Sequence, residues 1–231
     1  MSRENPIIED NIKTAILVDG GFYLPKARKA FGDKTPKDRA EEMYEYCTRH
    51  LKEHGHRHEL YRIFYYDCPP MNKTVYHPLR QSNKNFASSE TSIWRKDFHN
   101  ALKHKRKLAL RMGRVSESRA AFVLKPDVTK KLFNHKIQLE DIQEQDFYFT
   151  AQQKGVDMKI GLDIAALAYK RLVNQIVLIS GDSDFVPAAK LARREGIDFI
   201  LDPLGHHIKD DLLEHIDGLR SCDSKFSNKN K

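Results

Sequence analysis

Gln175 to Phe185 reads QIVLISGDSDF, and that stretch leaves a chain of this kind few folds to choose from. The residues from Gln175 to Ile179 are mostly β-branched or long aliphatic, an unbroken apolar run of strand length rather than helix length. Ser180-Gly181 end the run, and two carboxylates, Asp182 and Asp184, follow at once. This is a buried strand delivering acids to its carboxyl end. In an open α/β sheet that end borders the crevice where ligands bind.

The rest of the chain supplies the sheet. Thr14 to Val18 (TAILV) is a second apolar run stopping on Asp19-Gly20-Gly21, and Glu59 to Tyr66 (ELYRIFYY) is a third, followed by Asp67. Ile197 to Leu201 predicts the last strand. Helices are expected over 26–30 behind Pro25, 37–53, 91–105, 157–173, 184–195 and 209–216, where apolar residues recur at three- and four-residue spacings. Residues 71–92, rich in Asn, Ser, Lys and Pro, read as a long loop, and Lys107 to Val115 reads as a half-exposed strand with a basic outer face. Residues 116–145 carry little signal beyond a helix after Pro126. Strands alternating with long helices predict an α/β domain whose central sheet is mostly parallel, with helices on both faces. We read one domain over 1–231, with a basic loop-helix excursion at about 71–119 and an insertion at about 116–145.

Four aspartates fall at strand carboxyl ends or helix amino ends: Asp19, Asp157, Asp182 and Asp184. At about 100° per residue, Asp157 falls within about 60° of Gly161, Ile164, Ala168 and Leu172, which predicts that it faces the sheet. Asp163 falls instead with Lys159 and Lys170 on a polar stripe and reads first as a solvated partner of Lys159. Singly, Asp182 and Ser183 read equally well as helix caps, Asp184 as a first-turn acid and Asp19 as a turn residue. Together, several carboxylates in one pocket repel one another unless a cation joins them. Oxygen ligands suit Mg²⁺ or Mn²⁺, and such ions in acidic pockets serve phosphodiester hydrolysis.

Charge points to the substrate. The chain carries a formal net charge of +8, and between Met71 and Arg119 twelve lysines and arginines stand against three acids, Glu90, Asp97 and Glu117. A basic segment on a near-neutral body is the footprint of a polyanion binder, here RNA. Lys105, Arg106, Lys107, Arg111 and Arg114 are the candidate phosphate contacts, and Lys154 joins them in an anion-binding turn before Asp157. Trp94 and Phe98 read as core aromatics before base-stacking ones. Cys47, Cys68 and Cys222 are odd in number and widely spaced, which argues against a disulfide framework or a cysteine zinc site and for a reducing cytoplasm. No apolar run approaches membrane length, and MSRENPIIEDNIK has no secretory pattern. His50, His54, His56 and His58 run from a helix end into a strand, where their rings would not converge on a metal. His206-His207 read as a surface loop near the site, with a phosphate contact as the alternative.

Asp19-Gly20, Lys154-Gly155-Val156-Asp157 with Asp163 six further on, and Ser180-Gly181-Asp182-Ser183-Asp184-Phe185 resemble the signature of NYN domains of the LabA-like group, in the PIN-like nuclease superfamily. The resemblance runs from Asp19 to a closing acid at Asp217. It implies a Rossmann-like PIN fold, Mg²⁺ or Mn²⁺ held by Asp19, Asp157, Asp182 and Asp184, and endoribonuclease activity. It also counts the acid matching Asp163 in its pattern. We carry Asp163, Ser180 and Ser183 as supporting residues behind the four. The family usually has Asn three residues after its first Asp, and this chain has Phe22. The alternative function is therefore a catalytically weak or inactive RNA- or protein-binding module on the same fold. A phosphatase is less favoured, because its second acid would stand at Gly21. Homo-oligomerisation is left open.

Overall fold

The computed structural model describes residues 11–52 and 56–226. In chain order the elements are β1 (Asn11–Asp19), α1 (Gly20–Phe31), α2 (Pro36–Arg49), β2 (Arg57–Asp67), β3 (Thr74–His77), β4 (Ser82–Asn85), α3 (Glu90–Lys103), β5 (Leu108–Met112) and β6 (Arg114–Leu124). There follow α4 (Pro126–Phe133), β7 (Phe147–Lys154), α5 (Val156–Tyr169), β8 (Gln175–Ile179), α6 (Val186–Arg194), β9 (Asp198–Asp202), α7 (Asp210–Leu213) and β10 (Gly218–Leu219). Among the described residues, no helix is long and apolar enough to cross a membrane. The polar stretch read as lacking a secretory signal falls on 1–10, and His54 and Glu53 on 53–55, outside the described residues.

Two compact units emerge. The first comprises the described residues of Met1–Asp67, Asp97–Met112 and Gly155–Lys231. Its sheet has the order β10-β9-β8-β1-β2-β5, and every pairing in it is parallel. Counted along the chain within this sheet, the strands run 3-2-1-4-5-6 from β5 to β10, the doubly wound order, with the direction of winding reversing between β1 and β8. Side chains alternate across the sheet. Ala15, Leu17, Phe64, Tyr66, Ile176, Leu178, Phe199 and Leu201 join Ile160, Ile164, Leu167 and Ala168 of α5 and Ala189 and Ala192 of α6 in one core. The opposite parity, Ile16, Val18, Ile63, Tyr65, Val177 and Ile179, is buried on the other face. There Tyr65 meets Phe98 of α3 edge-on, ring centroids 5.6 Å apart. Helices thus cover both faces, as the alternating sequence pattern predicts.

The second unit comprises Cys68–Lys96 and Gly113–Lys154. It holds two antiparallel ribbons, β3–β4 and β6–β7, over a small cluster of Met71, Val75 and Ala120, with Phe86, Phe122 and Phe149 packed against it. Phe86 and Phe149 stack with centroids 4.2 Å apart.

Several expectations shift. The stretch read as loop, 71–92, contains the β3–β4 hairpin. α1 starts at Gly20, ahead of Pro25, because the Asp19 carboxylate accepts the Phe22 N–H at 3.2 Å and caps the helix there. The expected strand over 107–115 ends as β5 at Met112, and Arg114 already belongs to β6. Cys47 and Cys68 are buried and Cys222 half-buried, all as free thiols.

Candidate active site

The winding reversal places the carboxyl ends of β1 and β8 side by side, Val18 pairing with Ile179. Chain leaves these two strands in opposite senses, which opens a crevice between them. Asp19, at the end of β1, is half-buried. One of its oxygens accepts the Phe22 N–H; the other accepts the hydroxyl of buried Ser180, at the end of β8, at 3.4 Å. Burial pushes the Asp19 carboxyl above its usual pKa and the charge of Asp157 pushes the same way, against the lowering effect of the Phe22 and Gly21 amides and the Ser180 hydroxyl.

Asp182 caps the turn after β8, its Oδ1 accepting the Asp184 N–H at 3.0 Å. The capping role that the residue type suggests is thus realised, and it fixes the carboxylate rather than spending it. Asp157 sits in the first turn of α5. It is exposed, which corrects the sheet-facing expectation: the buried stripe of α5 is Ile160, Ile164, Leu167 and Ala168, and Asp157 lies beyond the end of that stripe. Partial burial of its carboxyl, with the charges of Asp182 and Asp184, raises its pKa. Asp19 feels Asp157, and Asp157 feels Asp182 and Asp184, so the four acids form one electrostatic group. Among the described residues, none of them has an ion-pair partner.

That isolation separates them from two other strand-end acids. Asp67, ending β2, bonds His99 Nε2 at 2.9 Å, and Asp202, ending β9, bonds His50 Nε2 at 2.9 Å; both carboxylates are buried. Asp163 is not paired with Lys159. It accepts the Tyr66 hydroxyl at 2.8 Å and Arg111 Nε at 2.9 Å, which ties β2, β5 and α5 together. Asp217 accepts Arg193 Nε and the Phe199 N–H, at the amino half of β9. Ser183 takes a 3.5 Å contact from Lys209 Nζ.

The basic candidates scatter. Lys105 pairs with Glu41, the Arg106 carbonyl accepts the Tyr44 hydroxyl, and Lys107 reaches Glu59 and the Leu60 carbonyl. All three precede β5, at the amino edge of the sheet, about 16 Å of strand from the acids at 3.3 Å per residue. Arg111 is engaged by Asp163 and lies over the Phe64 ring. Arg114 and Lys154 face each other across the β6–β7 ribbon of the second unit. Phe98 is core, and Trp94 half-buried.

Sequence reading did not single out what surrounds Phe22. Its ring sits against Gly181 and meets His206 edge-on at 6.2 Å, with Lys26 Nζ 4.7 Å from its centroid. A Cβ on Gly181 would lie 2.7 Å from that ring and 3.3 Å from the His206 ring. Gly181→Ala is therefore expected to cost about 1–3 kcal/mol of stability through overpacking. Urea denaturation checks it, and Phe22→Ala in the same chain should recover most of the loss; a loss that persists in the double variant would mean the clash lies elsewhere.

The NYN domain family profile matches residues 73–214, more than half of the chain. The chain belongs to the NYN domain family. This is a PIN-like nuclease family, and the matched region includes Asp157, Asp182 and Asp184 while Asp19 precedes it. A protein of unknown function from Vibrio parahaemolyticus is similar in structure, 16% identical, with a TM-score of 0.48 over 94% of this chain and 96% of that one. No curated protein matches the chain.

Proposed function

We propose that this NYN protein, of the LabA-like group, is a metal-dependent endoribonuclease acting at the crevice between β1 and β8. The observation that carries the proposal is the set of mutually coupled aspartates without an ion-pair partner, Asp19, Asp157, Asp182 and Asp184, at the point where the sheet reverses its winding. Their all-oxygen donor set suits Mg²⁺ or Mn²⁺. Among the described residues no three His, Cys, Asp or Glu side chains already stand close enough to grip an ion at once. Mg²⁺ needs no such cage, since it takes one or two carboxylates and fills its shell with water and substrate phosphate oxygens. The donors therefore fit, with Asp19 and Asp157 as direct holders and Asp182 and Asp184 beside them.

When bound, the ion would neutralise phosphate charge and acidify a water. The protein's own groups do the rest. Asp19, held by the Phe22 amide and the Ser180 hydroxyl, has the raised proton affinity a general base requires. The Asp182 rotamer is fixed by its cap, so it and Asp184 keep their charge at the mouth of the crevice. Of the basic candidates, Arg114 and Lys154 oppose each other as like charges, an arrangement an RNA phosphate would relieve.

The test is cleavage of single-stranded and structured RNA with Mn²⁺ or Mg²⁺, stopped by chelator. Under the same conditions the ion should raise the thermal midpoint by a few degrees, because it binds only the folded acids. Absence of both effects sinks the metal reading. Phe22, filling the position where the family has Asn, motivates the second reading, an RNA-binding module that does not cut. Under it, RNA binds in a salt-sensitive way and no product forms.

A further inference from the structure

A cavity of about 190 Å³ opens beside the acids on the same edge of the first unit, lined by Lys26 and Lys29 of α1, His206, and Lys225, with no acidic residue in its wall. His206 is placed there by a tight turn after β9, in which Leu204 and Gly205 both adopt left-handed backbone, at φ 49° and 68°. The Leu204 N–H is held by Asp202 Oδ1 at 2.9 Å, and the His206 N–H by the Pro203 carbonyl at 2.9 Å. The same His206 ring lies against Gly181, the residue between Ser180 and Asp182. The cavity and the acidic crevice therefore share a wall.

The geometry points to a phosphate-binding subsite formed by Lys26, Lys29, His206 and Lys225, which takes the phosphate of an RNA strand next to the one presented to Asp19 and Asp182. Lys29 alone has an ordinary explanation, a cation in the last turn of α1 complementing the helix dipole. That explanation does not reach Lys225 or His206, which come from the far end of the chain to the same cavity. Among the described residues, no carboxylate pairs with Lys26, Lys29 or Lys225. Lys26 is partly buried and crowded by Lys29, and both effects lower its pKa, a cost that a bound anion reverses. The Lys105–Lys107 cluster marked out by sequence lies at the opposite edge of the sheet. The subsite thus supplies positive charge at the edge where the acids are. An acidic crevice repels a polyanion unless cations stand close by, and these do.

This inference rests on the nuclease reading for its substrate, and the experiment separates the two. Binding of a fluorescein-labelled single-stranded RNA is measured by anisotropy in chelator across a salt series, beside cleavage in Mn²⁺. For a Lys26→Ala/Lys29→Ala variant, with both side chains at the surface and the fold expected intact by circular dichroism, affinity should fall about tenfold and the salt slope by about 1.4, or 0.7 per lost phosphate contact. Lys225→Ala should fall about threefold, and a Lys105→Ala/Lys107→Ala variant should change little. Inorganic pyrophosphate should compete with RNA in the native protein and not in the α1 variant. If the α1 variant loses affinity and the native protein cuts nothing, the subsite stands and the nuclease reading falls. If the native protein cuts RNA and the α1 variant keeps the same affinity and KM, the subsite is overturned while the nuclease reading stands. An equal loss in the Lys105→Ala/Lys107→Ala variant would also overturn it, by moving the RNA path to the other edge.

Discussion

Asp19→Asn is expected to lower RNA cleavage by about 100-fold or more, the usual contribution of a positioned base, while leaving the protein as stable as before or slightly more stable. Asn caps a helix as well as Asp, so the bond from the Phe22 amide survives the change. What disappears is a carboxylate that burial and Asp157 both oppose. The pH dependence gives the sign. A carboxyl whose folded pKa is raised costs nothing below the ordinary carboxylate range, and destabilises increasingly as pH climbs through its raised folded value. The native protein should therefore gain stability on moving from neutral toward mildly acidic pH, and Asp19→Asn should flatten that gain. Metal should flatten it too, because the cation replaces the proton. Thermal melts between pH 5 and pH 8, with and without Mn²⁺, measure both effects. Retained cleavage would remove Asp19 from the chemistry; a midpoint several degrees lower would make it a structural acid instead.

How much of this could be read from the residues depended on whether the signal was local. β8 was legible to the residue, since five consecutive apolar side chains can only be buried on both faces. The β4 segment, Ser82–Asn85, is exposed throughout, so no apolar alternation announces it. β6 slips register between Ser116 and Ala121, which breaks the period of two. The acids were the harder case. A strand ending on aspartate describes Asp19, Asp67 and Asp202 alike, yet Asp67 and Asp202 are bonded by His99 and His50. Those partners lie 32 and 152 residues away, and no local pattern discloses them. The same blindness affects cations. Lys105 and Arg111 looked free in sequence, but Glu41 and Asp163 claim them, whereas Lys26 and Lys225 meet only once the chain has folded.

Asp202→Ala is expected to cost about 3–5 kcal/mol of stability, the largest effect of any single change at this edge, because it strips one buried carboxylate from four donors at once. Oδ2 binds the Tyr46 hydroxyl and His50; Oδ1 binds the Ser221 hydroxyl at 2.6 Å and the Leu204 N–H at 2.9 Å. Asp202, Tyr46 and His50 are all buried, so no water waits to replace the lost acceptor. His50 Nδ1 already lacks a partner among the described residues, and the substitution would leave the ring with none on either nitrogen. Tyr46→Phe, which removes one donor and the acceptor of the Cys222 N–H at 3.2 Å, should cost only about 1–2 kcal/mol. Urea midpoints with unchanged m-values distinguish the two, and an Asp202→Ala loss under about 1 kcal/mol would show that the network is not what holds the edge together. The consequence for function follows from the same bonds. Asp202 anchors the Leu204–Gly205 turn that carries His206, and through Ser221 it anchors the segment leading to Lys225. Two walls of the basic cavity hang from one carboxylate. In Asp202→Ala held at a temperature where it remains folded, RNA affinity should therefore fall by as much as in Lys225→Ala, although Asp202 itself never meets the strand.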